Sequence, residues 1–104
     1  MLDTSKPYSV YVLYSDSADR FYIGVSGDVE QRFERHNSGQ SRWTARYRPW
    51  RCVFRRQLAD LTEALKVEKL LKRQRRGAGF FRLTGLRAAD YPARRGSQST
   101  DLQG

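Results

Sequence analysis

Two short β-prone runs, separated by a polar turn, constrain the fold of this chain most strongly. Residues 8–14 read YSVYVLY and residues 21–25 read FYIGV. β-Branched and aromatic residues in runs of this length are typical of strands. Residues 15–20 (SDSADR) are turn-forming, so the two runs are predicted to form an antiparallel hairpin with a longer loop.

Two capped helices and a third strand follow the hairpin. Asp28 and Asp60 each precede a helical pattern, with Gln or Glu three residues later as in a capping box. The first helix has about ten residues and ends at Gly39, which can adopt the left-handed conformation, and the second runs to about Gln74. Between and after the helices, we predict a loop or short helix at 40–50, a strand at 51–55, and a short helix or extended segment at 80–86.

The element order β-β-α-β-α predicts an α/β (α+β) fold, with a small three-stranded antiparallel or mixed sheet flanked by helices. With 104 residues, the chain suits one domain. We assign residues 1–7 to an N-terminal extension, 8–88 to the domain, and 89–104 to a basic tail with the composition of a disordered segment.

The distribution of apolar residues and the number of cysteines indicate the cellular compartment of the protein. No run of 18 apolar residues exists, and the N-terminus lacks the apolar stretch of a signal peptide, so no membrane span is expected. Cys52 is the single cysteine, which excludes an internal disulfide and a cysteine zinc site. These features fit the reducing cytoplasm, and we expect Cys52 to be a small core residue.

The positive charge is concentrated in one part of the chain. The net charge is +9, yet residues 41–95 hold 16 basic and four acidic residues, a net charge of +12. Such asymmetry favours a cationic face that binds a polyanion. Aromatic residues are interleaved with arginines at 42–51, where rings can stack on bases or bury in the core. Nucleic acid is the favoured partner, and an anionic membrane surface or a ribosome is the alternative.

Strand alternation places two tyrosines on the same side of the sheet. If the aliphatic faces of the hairpin line the core, Tyr11 and Tyr22 point the same way and Gly24 leaves open space beside them. Aromatic residues are also common in strands for packing reasons alone, and Gly24 could mark a bulge. The two explanations stay open at this point.

Two charged residues lie on the predicted apolar faces of the helices. Arg32 falls on the stripe of Val29 and His36, and Glu68 falls within the apolar arc of the second helix. That arc comprises Leu61, Ala64, Leu65, Val67 and Leu71. Glu68 therefore either pairs with a base such as Arg32 or holds a metal ion. His36 is favoured as a semi-buried histidine with satisfied hydrogen bonds over a metal ligand.

Five of these elements, in order, resemble the GIY-YIG nuclease family, and in particular small stand-alone bacterial members similar to the N-terminal catalytic domain of the excision-repair nuclease UvrC. The elements are Ser9-Val10-Tyr11, Tyr22-Ile23-Gly24, Arg32, His36 and Glu68. The resemblance covers residues 8–73. The second motif is unaltered, and Arg32 follows Gly24 by eight residues as the family's arginine does. Ser9 replaces the first glycine, while Tyr11 is kept.

The resemblance implies phosphodiester hydrolysis with one divalent ion. Glu68 would hold Mg²⁺ or Mn²⁺, and Arg32 would bind a non-bridging phosphate oxygen. Tyr11 or Tyr22 would orient or deprotonate the attacking water, with Tyr11 favoured as the base and Tyr22 in a positioning role. A tyrosine base needs cationic neighbours that favour the phenolate. His36 would assist proton transfer or orient the site.

The expected function is therefore a metal-dependent DNA endonuclease that nicks or is structure-selective, with RNA as an alternative substrate. A nucleic-acid-binding module that keeps the fold with little or no turnover is the alternative function. A partner protein or the basic surface would supply substrate choice, and a monomer or weak dimer is expected. Lys72 is either a phosphate contact or a solvated lysine. The residues expected to contact nucleic acid are Arg42, Trp43, Arg46, Arg48, Lys69, Lys72, Arg73, Arg75 and Arg76.

Overall fold

The predicted hairpin is present and lies at the centre of the sheet. In the computed structural model, which describes residues 6–91 and 102–103, β1 (Tyr8–Ser15) pairs antiparallel with β2 (Arg20–Ser26). β1 also pairs antiparallel with β3 (Trp50–Leu58), so it is the middle strand. The two-residue strand β4 (Leu102–Gln103) pairs in parallel with the outer side of β2. The prediction of an α+β fold built on a three-stranded antiparallel sheet is confirmed.

Among the described residues, three α-helices flank the sheet, and two of them begin at the predicted caps. They are α1 (Val29–Ser38), α2 (Leu61–Arg73) and α3 (Ala78–Thr84). The side chains of Asp28 and Asp60 each accept a hydrogen bond from the backbone amide three residues later. Gly39 ends α1 with a φ of 89°, a left-handed conformation that glycine adopts without strain. These local signals therefore set both helix starts and one helix end.

Both faces of β1 are covered, and every residue of this strand is buried. Val10 and Val12 pack in a cluster with residues of α2 and α3. Tyr11 and Leu13 lie on the opposite face, in a second cluster with Val29 of α1 and aromatic residues of the segment after it. A strand buried on both faces is expected to be almost continuously apolar, as β1 is.

A buried ion pair joins the β1–β2 turn to the α2–α3 turn. The Arg76 guanidinium donates to the Asp19 carboxylate at 2.8 Å, and their side chains are 6% and 1% exposed. Arg76 also donates to the Tyr91 carbonyl at 2.7 Å, and the Tyr14 hydroxyl donates to Asp19 at 2.7 Å. Arg76 was expected to contact nucleic acid, but its burial excludes it from the exposed basic surface. The charge is satisfied inside the fold instead.

Two expectations about core residues are wrong. Cys52 is exposed, because Cys52 and Phe54 pair with the adjacent residues Leu13 and Val12, and Val53 is the extra residue of a β-bulge. Val53 and Phe54 pack on the core and Cys52 stays outside it. Leu65 was assigned to the apolar arc of α2, yet it is 46% exposed. α2 packs on the sheet through Ala64 and Leu71, which turns Leu65 toward solvent.

The structure decides between the conformations that were left open for residues 40–50 and 80–86. Thr44–Tyr47 forms a short 3₁₀ helix within residues 40–50, where a loop or short helix was predicted. Ala78–Thr84 is helical, and a short helix or extended segment was predicted at 80–86. Packed structure continues through a second 3₁₀ helix, Ala88–Asp90, to Tyr91, which is buried. The rest of the predicted tail lies outside the described residues, apart from β4. Within the described part of the chain, no helix is both long and apolar enough to cross a membrane.

Candidate functional site

Four of the five residues predicted to be catalytic line one open cleft of about 780 Å³. Tyr11 comes from β1, Tyr22 from β2, Arg32 from the first turn of α1 and Glu68 from the middle of α2. β1 and β2 are neighbouring strands, whereas α1 and α2 are separate helices, so residues that are far apart in the sequence meet at the cleft. The fifth, His36, is 3% exposed and lies behind Tyr11.

Tyr11 occupies the space that Gly24 provides. The two residues are direct partners in the β1–β2 ladder, and a Cβ atom built on Gly24 would lie 2.5 Å from Tyr11 Oη. The expected open space beside Gly24 is therefore filled by the phenol. Gly24 is required here because any side chain at this position would displace Tyr11, which is 1% exposed.

His36 is hydrogen-bonded through both ring nitrogens. Its Nδ1 lies 2.8 Å from Thr44 Oγ1, and its Nε2 lies 3.1 Å from Tyr11 Oη. The Thr44 hydroxyl donates its hydrogen to the Ser41 carbonyl, so Thr44 accepts from Nδ1–H. This tautomer leaves Nε2 as the acceptor for the Tyr11 hydroxyl. Both ring nitrogens are hydrogen-bonded, which favours the predicted role of His36 as a semi-buried histidine with satisfied hydrogen bonds over that of a metal ligand.

Burial and the nearby arginine keep His36 neutral. Desolvation, with a smaller contribution from the Arg32 charge, lowers the pKa of His36 from 6.5 to about 4. At neutral pH the imidazole therefore accepts the hydrogen bond of Tyr11 without carrying charge.

The two tyrosines lie side by side and both are protonated at neutral pH. Their ring centroids are 6.2 Å apart, and the Tyr22 ring also lies 4.5 Å from that of His36. Burial raises the pKa of Tyr11, and the neighbouring Tyr22 raises it further. Burial also raises the pKa of Tyr22. Arg32 lowers both pKa values, but the desolvation of the phenols is the larger effect.

Arg32 lies at the rim of the cleft. It was predicted to lie on the inward-facing stripe of α1, yet it is exposed, because Val29 and His36 carry the packing of this helix. Its charge acts on Tyr11, Tyr22 and His36, as their pKa shifts show. An exposed guanidinium that faces two phenols can bind an anionic group that enters the cleft.

Glu68 is paired with Lys72. Lys72 Nζ lies 3.2 Å from Glu68 Oε2, so the ion pair is formed within α2 and the suggested partner Arg32 is not the contact. The other carboxylate lining the cleft, Asp28, caps α1. No group of three His, Cys, Asp or Glu side chains with metal-binding geometry occurs among residues 6–91 and 102–103. A single carboxylate such as that of Glu68 suits a hard divalent cation that keeps most of its waters.

Comparison with known proteins identifies the family. The GIY-YIG catalytic domain matches residues 7–80, which include all five residues predicted to be catalytic. The chain belongs to the GIY-YIG family. This family is of the nuclease type, as the resemblance of the two tyrosine motifs implies.

The GIY-YIG relatives are small proteins of similar extent. A UPF0213 protein of Xanthomonas campestris pv. campestris (strain 8004) is 32% identical over 76 residues, which cover 72% of this chain and 74% of the relative. A UPF0213 protein of Streptococcus pneumoniae serotype 4 is 35% identical over 57 residues, covering 54% of this chain and 58% of the relative. No solved structure matches the chain significantly.

A second groove adjoins the GIY-YIG cleft along α2. It has a volume of about 660 Å³ and shares Leu65 and Glu68 with the cleft. Its other lining residues are the four cationic residues Lys69, Lys72, Arg73 and Arg75. These four were all predicted to contact nucleic acid, and the groove places them side by side beside Glu68.

The predicted contacts at 42–48 lie elsewhere. Arg42, Arg46 and Arg48 are exposed but line neither the cleft nor the groove. Trp43 is half-buried and packs against Tyr47 and Trp50, with ring centroids 5.0 and 6.2 Å away. Trp43 therefore serves the second core cluster, and packing was the alternative that the sequence left open for these rings.

Sequence reasoning missed two residues that shape the site. Thr44 fixes the tautomer of His36, but it lies in an irregular Arg- and Trp-rich segment where no periodicity marks it. Leu65 lies where the cleft meets the groove, and helical periodicity assigned it to the core. Only the packing angle of α2 on the sheet distinguishes its position from that of a core leucine.

Proposed function

We propose that this GIY-YIG protein is a divalent-metal-dependent endonuclease that hydrolyses phosphodiester bonds in DNA, with nicking or structure-selective activity. The convergence of Tyr11, Tyr22, Arg32 and Glu68 on one cleft carries the proposal. A cationic groove beside this cleft supports a nucleic-acid substrate over a small phosphate ester, because a backbone extends beyond the reacting phosphate.

Glu68 is the proposed ligand of one Mg²⁺ or Mn²⁺ ion. Its side chain is 17% exposed and lines the cleft, so a carboxylate oxygen is accessible there. When bound, such an ion polarises the phosphate and stabilises the charge on the leaving oxygen. Carboxylate oxygen and water are the ligands that both metals accept.

Arg32 is the proposed ligand of the reacting phosphate. Its guanidinium can donate two parallel hydrogen bonds to non-bridging oxygens, which gain negative charge in the transition state. Because Arg32 lies at the rim, a phosphate can reach it without displacing packed side chains.

Tyr11 and His36 form the proposed proton path. As Tyr11 Oη takes a proton from the attacking water, its own proton passes along the 3.1 Å hydrogen bond to His36 Nε2, which becomes an imidazolium. Arg32 is one cause of the low pKa of His36, so a bound phosphate that offsets the arginine charge makes His36 a stronger base. Tyr22, beside Tyr11 in the cleft, positions the water.

The groove residues Lys69, Arg73 and Arg75 are the proposed backbone contacts next to the cleft, and exposed Arg42, Arg46 and Arg48 add to the positive field. Such contacts follow the phosphates without reading sequence. Substrate choice is proposed to come from the shape of the DNA or from a partner protein. The proposed location is the cytoplasm.

The proposal is tested by cleavage of supercoiled plasmid and branched DNA with Mg²⁺ or Mn²⁺. Glu68→Ala and Arg32→Ala are expected to lose activity, and chelator is expected to stop the parent. Wild-type activity in both variants would overturn the assigned site. Cleavage that persists in excess chelator would overturn the metal dependence.

A binding module with the nuclease fold and no turnover is the second candidate. The Lys72–Glu68 ion pair favours it, since the carboxylate already has a cationic partner. This function predicts nucleic-acid binding that weakens steeply with salt and yields no product with any divalent metal.

A further inference from the structure

The ammonium of Lys72 is in ionic contact with Glu68, the proposed metal ligand. Its Nζ is 3.2 Å from Glu68 Oε2, and the two residues are one helical turn apart on α2. The side chains of Lys72 and Glu68 are 34% and 17% exposed, so the pair is partly shielded from water. Shielding makes the contact stronger than that of a fully solvated pair, while the open groove leaves the ammonium free to move.

The pair also lies at the boundary between two environments. Glu68 lines both the cleft and the cationic groove, whereas Lys72 lines the groove alone. A Lys72 side chain released from Glu68 therefore stays in the groove, beside Lys69, Arg73 and Arg75. Four neighbouring cations form a site for a phosphate backbone, and this site becomes stronger when the charge of Glu68 in the same groove is neutralised.

We infer that Lys72 is a displaceable counter-ion of Glu68 that couples metal binding in the cleft to nucleic-acid binding in the groove. The inference rests on the proposed function. Lys72 is repelled from Glu68 when a divalent cation takes the carboxylate, and its ammonium then pairs with a backbone phosphate. Conversely, a phosphate in the groove draws Lys72 away and leaves Glu68 open.

The coupling must act in both directions. If metal strengthens nucleic-acid binding by some factor, nucleic acid strengthens metal binding by the same factor. Removal of the Lys72 charge removes the competitor, so the metal binds more tightly in the absence of nucleic acid. It also removes the side chain that carries the coupling, so nucleic acid then strengthens metal binding by a smaller factor.

The first experiment measures Mn²⁺ affinity of the full chain by isothermal titration calorimetry without nucleic acid. Lys72→Met is expected to bind Mn²⁺ about two- to fivefold more tightly, the range expected for loss of a partly exposed ion pair. Lys66→Met is the matched control, because Lys66 lies on the same helix but its ion pair is with Glu63 and not with Glu68. Its effect is expected to stay below about twofold.

The second experiment repeats the titration with a branched duplex whose phosphorothioate backbone resists hydrolysis. The duplex is expected to tighten Mn²⁺ binding in the parent and in Lys66→Met, and to do so at least about twofold less in Lys72→Met. Equal tightening in all three proteins would overturn the coupling.

A third variant separates failure of the inference from failure of the proposed function. Glu68→Gln is expected to weaken Mn²⁺ binding both alone and in combination with Lys72→Met. The double variant is expected to bind Mn²⁺ as weakly as Glu68→Gln alone. Unchanged Mn²⁺ binding in Glu68→Gln would overturn the metal assignment itself. Weakened binding in Glu68→Gln together with parent-like binding in Lys72→Met would overturn the inference and leave the proposed function standing.

Discussion

Substitution of Gly24 by alanine adds one methyl group where β2 approaches the phenol of Tyr11. The new Cβ would lie 2.5 Å from Oη, 2.6 Å from Cζ and 2.9 Å from Cε1 of Tyr11. Non-bonded carbon contacts are most favourable near about 3.5–4.0 Å, so the ring must move by about 1 Å. The φ angle of Gly24 is not positive, so alanine is tolerated by the backbone and the effect is steric.

The shift cannot be absorbed cheaply, because Tyr11 is 1% exposed and lies against Tyr22 and His36. Overpacking of a well-packed site costs about 1–3 kcal/mol of unfolding free energy. Movement of Oη also lengthens its 3.1 Å hydrogen bond to His36. A misplacement of about 1 Å in a catalytic group lowers the rate about 100-fold, which is the expected loss of nicking activity.

Urea unfolding and plasmid nicking measure the two effects in the same protein. Gly27→Ala is the matched control: it also lies in the cleft, and its added Cβ would meet Lys6 Cε, near the end of a flexible side chain, at 3.3 Å. This control is expected to stay within about 0.5 kcal/mol of the parent and to keep its activity. A Gly24→Ala protein that matches the parent in both assays would refute the close approach of Gly24 and Tyr11.

Three further predictions concern the charged and titratable groups. Arg76→Met removes the buried guanidinium that pairs with Asp19 and is expected to lower the unfolding free energy by about 3–5 kcal/mol in urea. Arg51→Met, which breaks an exposed pair, is expected to cost at most about 1 kcal/mol. The folded-state pKa of His36, about 4, lies below its ordinary 6.5, so the unfolded chain binds more protons between these values. The contribution of His36 to the free energy of unfolding is therefore fully present above about pH 6.5 and falls by about 2–4 kcal/mol as the pH drops to about 4. His36→Gln is expected to reduce this loss, as measured by urea unfolding. Arg32→Ala is expected to raise the pKa of His36 in an NMR titration, because the arginine charge contributes to its low value. Arg35→Ala on the same helix is the control. Equal pKa shifts in the two variants would contradict the effect of the Arg32 charge.

Local patterns predicted the elements well, because the interactions that define them lie close together in the sequence. Asp28 and Gly39 mark the two ends of α1, since a cap needs only the neighbouring backbone. Alternation along 8–14 placed Val10 and Val12 on one face and Tyr11 on the other, since strand geometry alone sets this period. Even the Glu68–Lys72 pair follows from helical spacing, although Arg32 was considered as the partner instead.

Side-chain surroundings were predicted less well, because they depend on how the elements pack. Glu68 and Arg32 were both singled out for lying on apolar helix faces, yet Arg32 is exposed at the rim of the cleft. Leu65 and Cys52 were assigned to the core and are exposed, one because of the packing angle of α2 and the other because of a bulge in β3. Hydropathy reports the chemistry of a residue and not the neighbour that covers it.

The sequence by itself determined the order of strands and helices, the family, and the set of residues from which the site is built. Only the tertiary structure decided that Tyr11 fills the space at Gly24, that Thr44 orients His36, and that Arg76 is a buried structural cation. The physical reason is distance along the chain: Arg76 and Asp19 are 57 residues apart, and Tyr11 and His36 are 25 apart. Contacts of that kind depend on strand register and helix packing, which no local pattern encodes.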